Sequence, residues 1–277
     1  MHFISIFCGS NPSAPGNGGR LAVLGIFTAT LSLGSLVSPA LAQRQSYQTL
    51  WNVAGRLDAG DKLSVKSGDV FLRHRLLPNA AARLDTDLTD EQGKVVIPTG
   101  AEMFSLSTSG AKIFCNAKQS GPSVARALLI GGSLKQVCAI DLEGDGTFDQ
   151  YFSTMGLVKG LPSLSGRVPK APKIAKAGGY HAIAPKDMTT QYFVGIEYEG
   201  KPLLYDRRNF RIVFGDGKRH ESLSDWTFIK GGEYPKSHSL LGGSFTVLSE
   251  TSGVLNLAID REIPPQPFNV NVTISYR

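Results

Sequence analysis

Val270-Asn271-Val272-Thr273-Ile274-Ser275-Tyr276 alternates four apolar side chains with three polar ones. Successive side chains of an extended backbone point to opposite faces, so this stretch reads as a strand with one buried and one wet face. Tyr192, Val194, Ile196 and Tyr198 repeat the pattern, as do Phe210, Ile212 and Phe214, then Leu255, Leu257 and Ile259. Glu199-Gly200, Gly215-Asp216-Gly217, Gly231-Gly232, Gly242-Gly243 and Ser252-Gly253 separate these runs with turn chemistry, at a rhythm that suits an all-β sandwich or barrel. Upstream, Leu63 with Val65, Val70 to Leu76, Val95 to Ile97, Met103 to Leu106 and Ile113 to Cys115 are further strand candidates. Short helices are expected only near Tyr47 to Val53 and Val124 to Leu129.

The amino-terminal part has a different composition. Leu21 to Val37 carries no charge and no proline, Arg20 stands before it, and Pro39 with Ala40-Leu41-Ala42 closes it. Small residues at the first and third positions of that triplet suit a signal peptidase, so residues 1–42 read as an export signal cleaved after Ala42. A permanent anchor is the competing reading; Gly25, Gly34 and Pro39 weigh against it, and no Leu-x-x-Cys lipidation motif follows. No second long apolar run occurs, so the mature chain is expected without a transmembrane segment, in the periplasm or secreted. The formal net charge is +6, and its Lys and Arg are not clustered with interleaved aromatics. That balance favours an anionic envelope polymer or a protein as partner and argues against nucleic acid.

Export decides the cysteines. Cys8 falls in the leader, and Cys115 and Cys138 remain. In an oxidising compartment the simplest state of two cysteines is one disulfide, which removes about 3 kcal/mol of unfolded-state freedom for a loop of that size. A redox or zinc pair is the alternative. It lacks Cys-x-x-Cys spacing and a nearby histidine.

Between Gly166 and Gly179 the chain has Pro and Lys without an apolar period, which reads as a solvated linker. The expected organisation is a β domain over 43–165, a linker over 166–179 and a sandwich-like β domain over 180–277. One large sandwich with a long surface loop is the alternative.

Asp141-Leu142-Glu143-Gly144-Asp145-Gly146-Thr147-Phe148-Asp149 is the one segment whose oxygen ligands recur at a spacing with chemical use. Carboxylates at the first, third, fifth and ninth positions of a tight loop can converge on a hard cation, with glycine at the sixth for the turn and a carbonyl from the seventh. That assigns Asp141, Glu143, Asp145, Thr147 and Asp149 as ligands of a structural Ca²⁺ and Gly146 as the turn. The segment resembles EF-hand calcium loops and the Asp-x-Asp-x-Asp-Gly loops between strands of other calcium-binding folds. It departs from them with Glu143 at the third position and Phe152 where a bidentate Glu would stand. The competing reading is a solvated Asp-Gly turn.

Catalytic patterns fail. Ser109-Gly110-Ala111-Lys112 matches Ser-x-x-Lys but precedes a strand, and no Lys-Thr-Gly accompanies it. His74, His181, His220 and His238 are far apart in the chain; His74 shares a face with Val70, Leu72 and Leu76 and is expected hydrogen-bonded and semi-buried. Trp51, Trp226, Tyr192, Phe193 and Tyr198 read as core aromatics before a sugar-stacking face. The expected function is a non-enzymatic structural or binding module of the bacterial envelope or exterior. An envelope-polymer hydrolase with a cleft between two β domains is one alternative. An assembly subunit pairing through the strand Val270 to Tyr276 is the other.

Overall fold

A computed structural model describes residues 2–5, 45–118, 134–156, 160–217 and 220–274. The apolar leader with its cleavage site, Cys8 and the helix expected near Val124 to Leu129 lie outside these residues.

The described chain is nearly all β, with antiparallel pairing in every sheet and one sheet curled into a half-barrel. A six-stranded sheet runs in the order His220–Lys230, Arg207–Asp216, Tyr192–Gly200, Val70–Pro78, Trp51–Arg56, Pro267–Phe268. A seven-stranded sheet runs Lys173–Ile174, Gln150–Gly156, Leu134–Asp141, Lys112–Asn116, Glu102–Ser105, Ala81–Leu84, Tyr180–Ile183. Lys236–Leu240, Gly243–Thr251, Val254–Arg261 and Lys62–Val65 form a four-stranded sheet. Among the described residues the helical content is a single 3₁₀ turn at Pro185–Asp187, and no helix is long and apolar enough to cross a membrane.

Alternation explains the core. In the seven-stranded sheet Phe104, Cys115, Cys138 and Phe152 face the larger cluster, which holds Trp51, Phe71, Phe210 and Phe245, while their neighbours Met103, Phe114, Ala139 and Tyr151 face a second cluster. Both faces of that sheet are therefore dry. Cys115 and Cys138 stand opposite each other in register and form the expected disulfide, fully buried.

The segment Tyr47 to Val53 is not helical. It lies in and between the strands Ser46–Gln48 and Trp51–Arg56, with Tyr47, Thr49, Trp51 and Val53 buried and Gln48, Leu50 and Asn52 between them exposed or half-buried. A period of two puts Tyr47, Thr49, Trp51 and Val53 on one buried face, whereas a helix would keep Tyr47 and Trp51 together and turn Thr49 and Val53 away from them. Trp51 Nε1 donates to the Pro162 carbonyl at 3.0 Å, which satisfies the one polar atom of that side chain.

Strands on either side of residues 166–179 pair with one another: Tyr192–Gly200 with Val70–Pro78, Val254–Arg261 with Lys62–Val65, and Tyr180–Ile183 with Ala81–Leu84. The spans 43–165 and 180–277 thus share three sheets, and Ser165–Arg167 and Lys173–Ile174 pair as short edge strands. Composition marks that stretch as polar, but long-range pairing fixes its backbone.

One bulge aligns the two spans. Between the pairs Val194↔His74 and Ile196↔Phe71 the Val70–Pro78 strand holds one residue more than its partner, and Leu72 takes φ 50° there. Both Phe71 and Leu72 consequently point inward. Gly195 faces this bulge, where a Cβ would stand 3.0 Å from Val70 and Arg73 side-chain carbons. The strand Asn271–Ile274 pairs antiparallel with His2–Ser5, from His2↔Ile274 to Ser5↔Asn271.

Candidate functional site

Two hairpin tips carry the chemistry of the molecule. The acidic loop 141–149 joins Leu134–Asp141 to Gln150–Gly156 over the second core. Phe148 is its plug: 1 % exposed, stacked on Tyr180 with ring centroids 4.4 Å apart, and edge-on to Phe114. The backbone is stitched to the following segment, with Tyr180 N–H donating to Gly146 O at 2.9 Å and Phe148 N–H to Gly178 O at 3.3 Å. Gly146, at φ 90°, makes the turn that aims Phe148 inward.

The carboxylates of this loop are engaged locally. Asp141 is 0 % exposed and accepts from the Tyr180 hydroxyl at 2.7 Å, the Gly144 amide at 2.6 Å and the Gly146 amide at 3.3 Å. Asp145 accepts from the Thr147 amide and Asp149 from the Leu142 amide, both at 2.8 Å. Glu143 is exposed, and the Lys112 ammonium reaches the Gly144 carbonyl at 3.5 Å. Burial pushes the Asp141 carboxyl up, but Tyr180, the two amides and the Lys112 charge outweigh it and hold it below the usual carboxylate range. The Tyr180 hydroxyl is pushed well up by burial and by Asp141. Among the described residues no group of three or more His, Cys, Asp or Glu side chains is placed to hold a metal.

The structure keeps the histidines apart. His74 is buried, with Nδ1 on the Ala54 carbonyl at 3.0 Å and Nε2 receiving the Ile263 amide at 3.3 Å, which uses both ring nitrogens. His181 pairs with Asp85 at 2.6 Å on the surface, and His220 lies edge-on to Phe193. His238 meets Thr227 Oγ1 at 3.1 Å between Phe210 and Phe245, and burial lowers its pKa. Ser109 sits in the turn before the strand Lys112–Asn116, and Lys112 points to the acidic loop. Trp51, Tyr192, Phe193 and Tyr198 are core residues.

The second tip, Lys201-Pro202-Leu203-Leu204-Tyr205-Asp206, joins Tyr192–Gly200 to Arg207–Asp216. Leu203 is 103 % exposed, Leu204 85 % and Tyr205 58 %, and Phe228, one strand over, is 43 % exposed. Its base is built with care. Asp206 binds Lys201 and Arg208, each at 3.0 Å, and its carbonyl receives the Gly231 amide at 2.8 Å. Arg208, nearly buried, donates from Nε and Nη2 to Glu250 Oε2, which also accepts the Tyr234 hydroxyl at 2.9 Å. Burial works against the Arg208 charge, but Glu250 and Asp206 outweigh it and keep the guanidinium charged. Burial and Glu250 push the Tyr234 hydroxyl up to about 12. The Arg207 guanidinium lies over the Tyr205 ring at 4.7 Å and the Phe228 ring at 5.2 Å.

Sequence reasoning passed over this tip because it sought polar turns. The signal was present: Leu203-Leu204-Tyr205 is an apolar run placed in a loop, just past Gly200-Lys201-Pro202 and between two alternating strands. Comparison with protein-family models, with curated proteins and with solved structures finds no match to this chain.

Proposed function

We propose that this chain is an exported, non-enzymatic binding module of the bacterial envelope or exterior, and that its contact surface is the 201–206 tip. The observation that carries the reading is the exposure of Leu203, fully, and Leu204, largely, on a base fixed by the Asp206–Arg208–Glu250–Tyr234 network. Adjacent large apolar side chains held in water on a fixed base need little backbone ordering to meet a partner, and the burial they gain offsets the rotamer freedom they lose. The buried disulfide supports the exported setting, since such bonds persist where the surroundings are oxidising. Within this reading the acidic loop is a structural latch closed by its own hydrogen bonds and by Lys112, and a Ca²⁺ ion at Glu143 and Asp145 is not required to hold it.

The test is association of the purified mature protein with isolated envelope material. Leu203→Ser/Leu204→Ser should lose that association while its thermal midpoint stays where it was. Equal retention of both proteins would remove the tip from the reading.

A second reading, assembly through an edge strand, is favoured by one observation. Asn271–Ile274 pairs with His2–Ser5, a segment assigned from sequence to the cleaved leader. Cleavage after Ala42 would leave that ladder open to another strand. Sizing of the mature protein over a range of concentrations tests it: a dimer abolished by Thr273→Pro supports self-pairing, and a monomer throughout opposes it.

A further inference from the structure

Resting on the binding-module reading, we infer that the 201–206 tip docks on an anionic lipid surface, with Leu203, Leu204 and Tyr205 entering the interface and the cations of the strand ends meeting the headgroups. The layering follows from the hairpin itself. The apolar side chains occupy the turn, Lys201 and Arg207 flank it, and Lys230 stands opposite Arg207 in register, one step back from the turn. Lys236 joins this level, its ammonium donating to the Lys230 carbonyl at 2.8 Å and the Gly231 carbonyl at 2.7 Å. A bilayer interface presents the same order in reverse, hydrocarbon below a plane of charged headgroups. Tyr205 adds an amphipathic ring, held under the Arg207 guanidinium, of the type enriched at that depth.

Shape and charge favour a lipid plane over a protein pocket. Leu203 at 103 % and Leu204 at 85 % exposed stand clear of the rest of the described chain, so the tip offers side chains to insert. The carboxylate within the tip, Asp206, is tied to Lys201 and Arg208, leaving Lys230 exposed at the rim. Elsewhere among the described residues exposed large apolar side chains such as Leu57, Val95 and Ile174 stand singly in the chain, which is ordinary for a surface. The run of three is confined to this tip.

Vesicle sedimentation tests the inference with the mature protein, using phosphatidylcholine vesicles and phosphatidylcholine mixed with phosphatidylglycerol. Wild type is expected to bind the mixed vesicles, Leu203→Ser/Leu204→Ser to bind them at least about tenfold more weakly, and Lys230→Glu to lose the preference for the anionic lipid. Tyr205→Trp should show a blue-shifted emission increment over wild type on the mixed vesicles. Absence of vesicle binding, or binding indifferent to the leucine pair, overturns the lipid assignment. If envelope association still depends on Leu203 and Leu204 while vesicles fail, the binding-module reading stands and its target is a protein or polymer. If neither depends on them, both fall.

Discussion

The two hairpin tips are built on the same plan and used in opposite ways. In 141–149 the Asp141, Asp145 and Asp149 carboxylates fold back on the loop's own amides, Asp141 and Phe148 are buried, and Lys112 supplies a countercharge from a neighbouring strand. In 201–206 the polar groups are spent on the base, and the apolar side chains are left in water. A loop rich in ligand-type residues is therefore closed on itself, while a loop whose one carboxylate is tied into its base is the one that faces outward. What a loop contains tells less about its role than which of its atoms are already satisfied.

This contrast breaks most visibly at Phe148. Phe148→Ala removes a side chain stacked between Tyr180 and Phe114 and should cost about 3–5 kcal/mol of stability, read as a lower midpoint in denaturant, with tip-dependent binding unchanged below the transition. A cost under about 1 kcal/mol would mean that the loop does not plug the second core.

Next in size is Asp141→Asn, expected to cost about 1–3 kcal/mol, because an amide group then faces hydroxyl and amide donors in a buried site. Its pH signature sharpens the comparison. Asp141 and Glu102 both have carboxyls held below their ordinary values; for Glu102 burial acts upward and is outweighed by the Thr189 amide and hydroxyl, the Thr190 amide and Arg83. Groups with depressed folded pKa values stabilise fully above their unfolded values and lose that contribution as pH falls through the folded ones. Thermal midpoints should drop as pH is lowered from about 5 to about 2, less steeply in Asp141→Asn. Parallel profiles would show that the Asp141 charge is not part of the latch.

Much of the fold was legible in the sequence. The alternation of Tyr192, Val194, Ile196 and Tyr198 placed a strand that lies at Tyr192–Gly200, and export logic paired Cys115 with Cys138. The bulge at Leu72 was not legible, because it packs against Gly195 on a partner strand more than a hundred residues away in the chain. The same limit hid the pairing across 166–179. For the acidic loop, the sequence located the carboxylates; it could not orient them, since Asp141 answers to Tyr180 in a distant strand and to Lys112 on a neighbouring one. The outer tip was readable and went unread, as an apolar run where turn chemistry was expected.

The smallest effects are the most telling for the comparison. Leu203→Ser/Leu204→Ser should shift stability by no more than about 0.5 kcal/mol, because fully exposed side chains have no packing to lose. Calcium followed by chelator should leave the thermal midpoint of the mature protein unchanged, since hydrogen bonds and Lys112 already satisfy the latch. A calcium-dependent rise would show instead that a cation takes the place of Lys112 and that the acidic loop is a metal site.

Hydrogen–deuterium exchange of the mature protein, with and without envelope material, tests the division of labour between the tips most directly. The account predicts new protection at residues 201–206 and around Phe228, with the 141–149 loop already protected and unchanged. Protection appearing at 141–149 while 201–206 exchanges as before would contradict it.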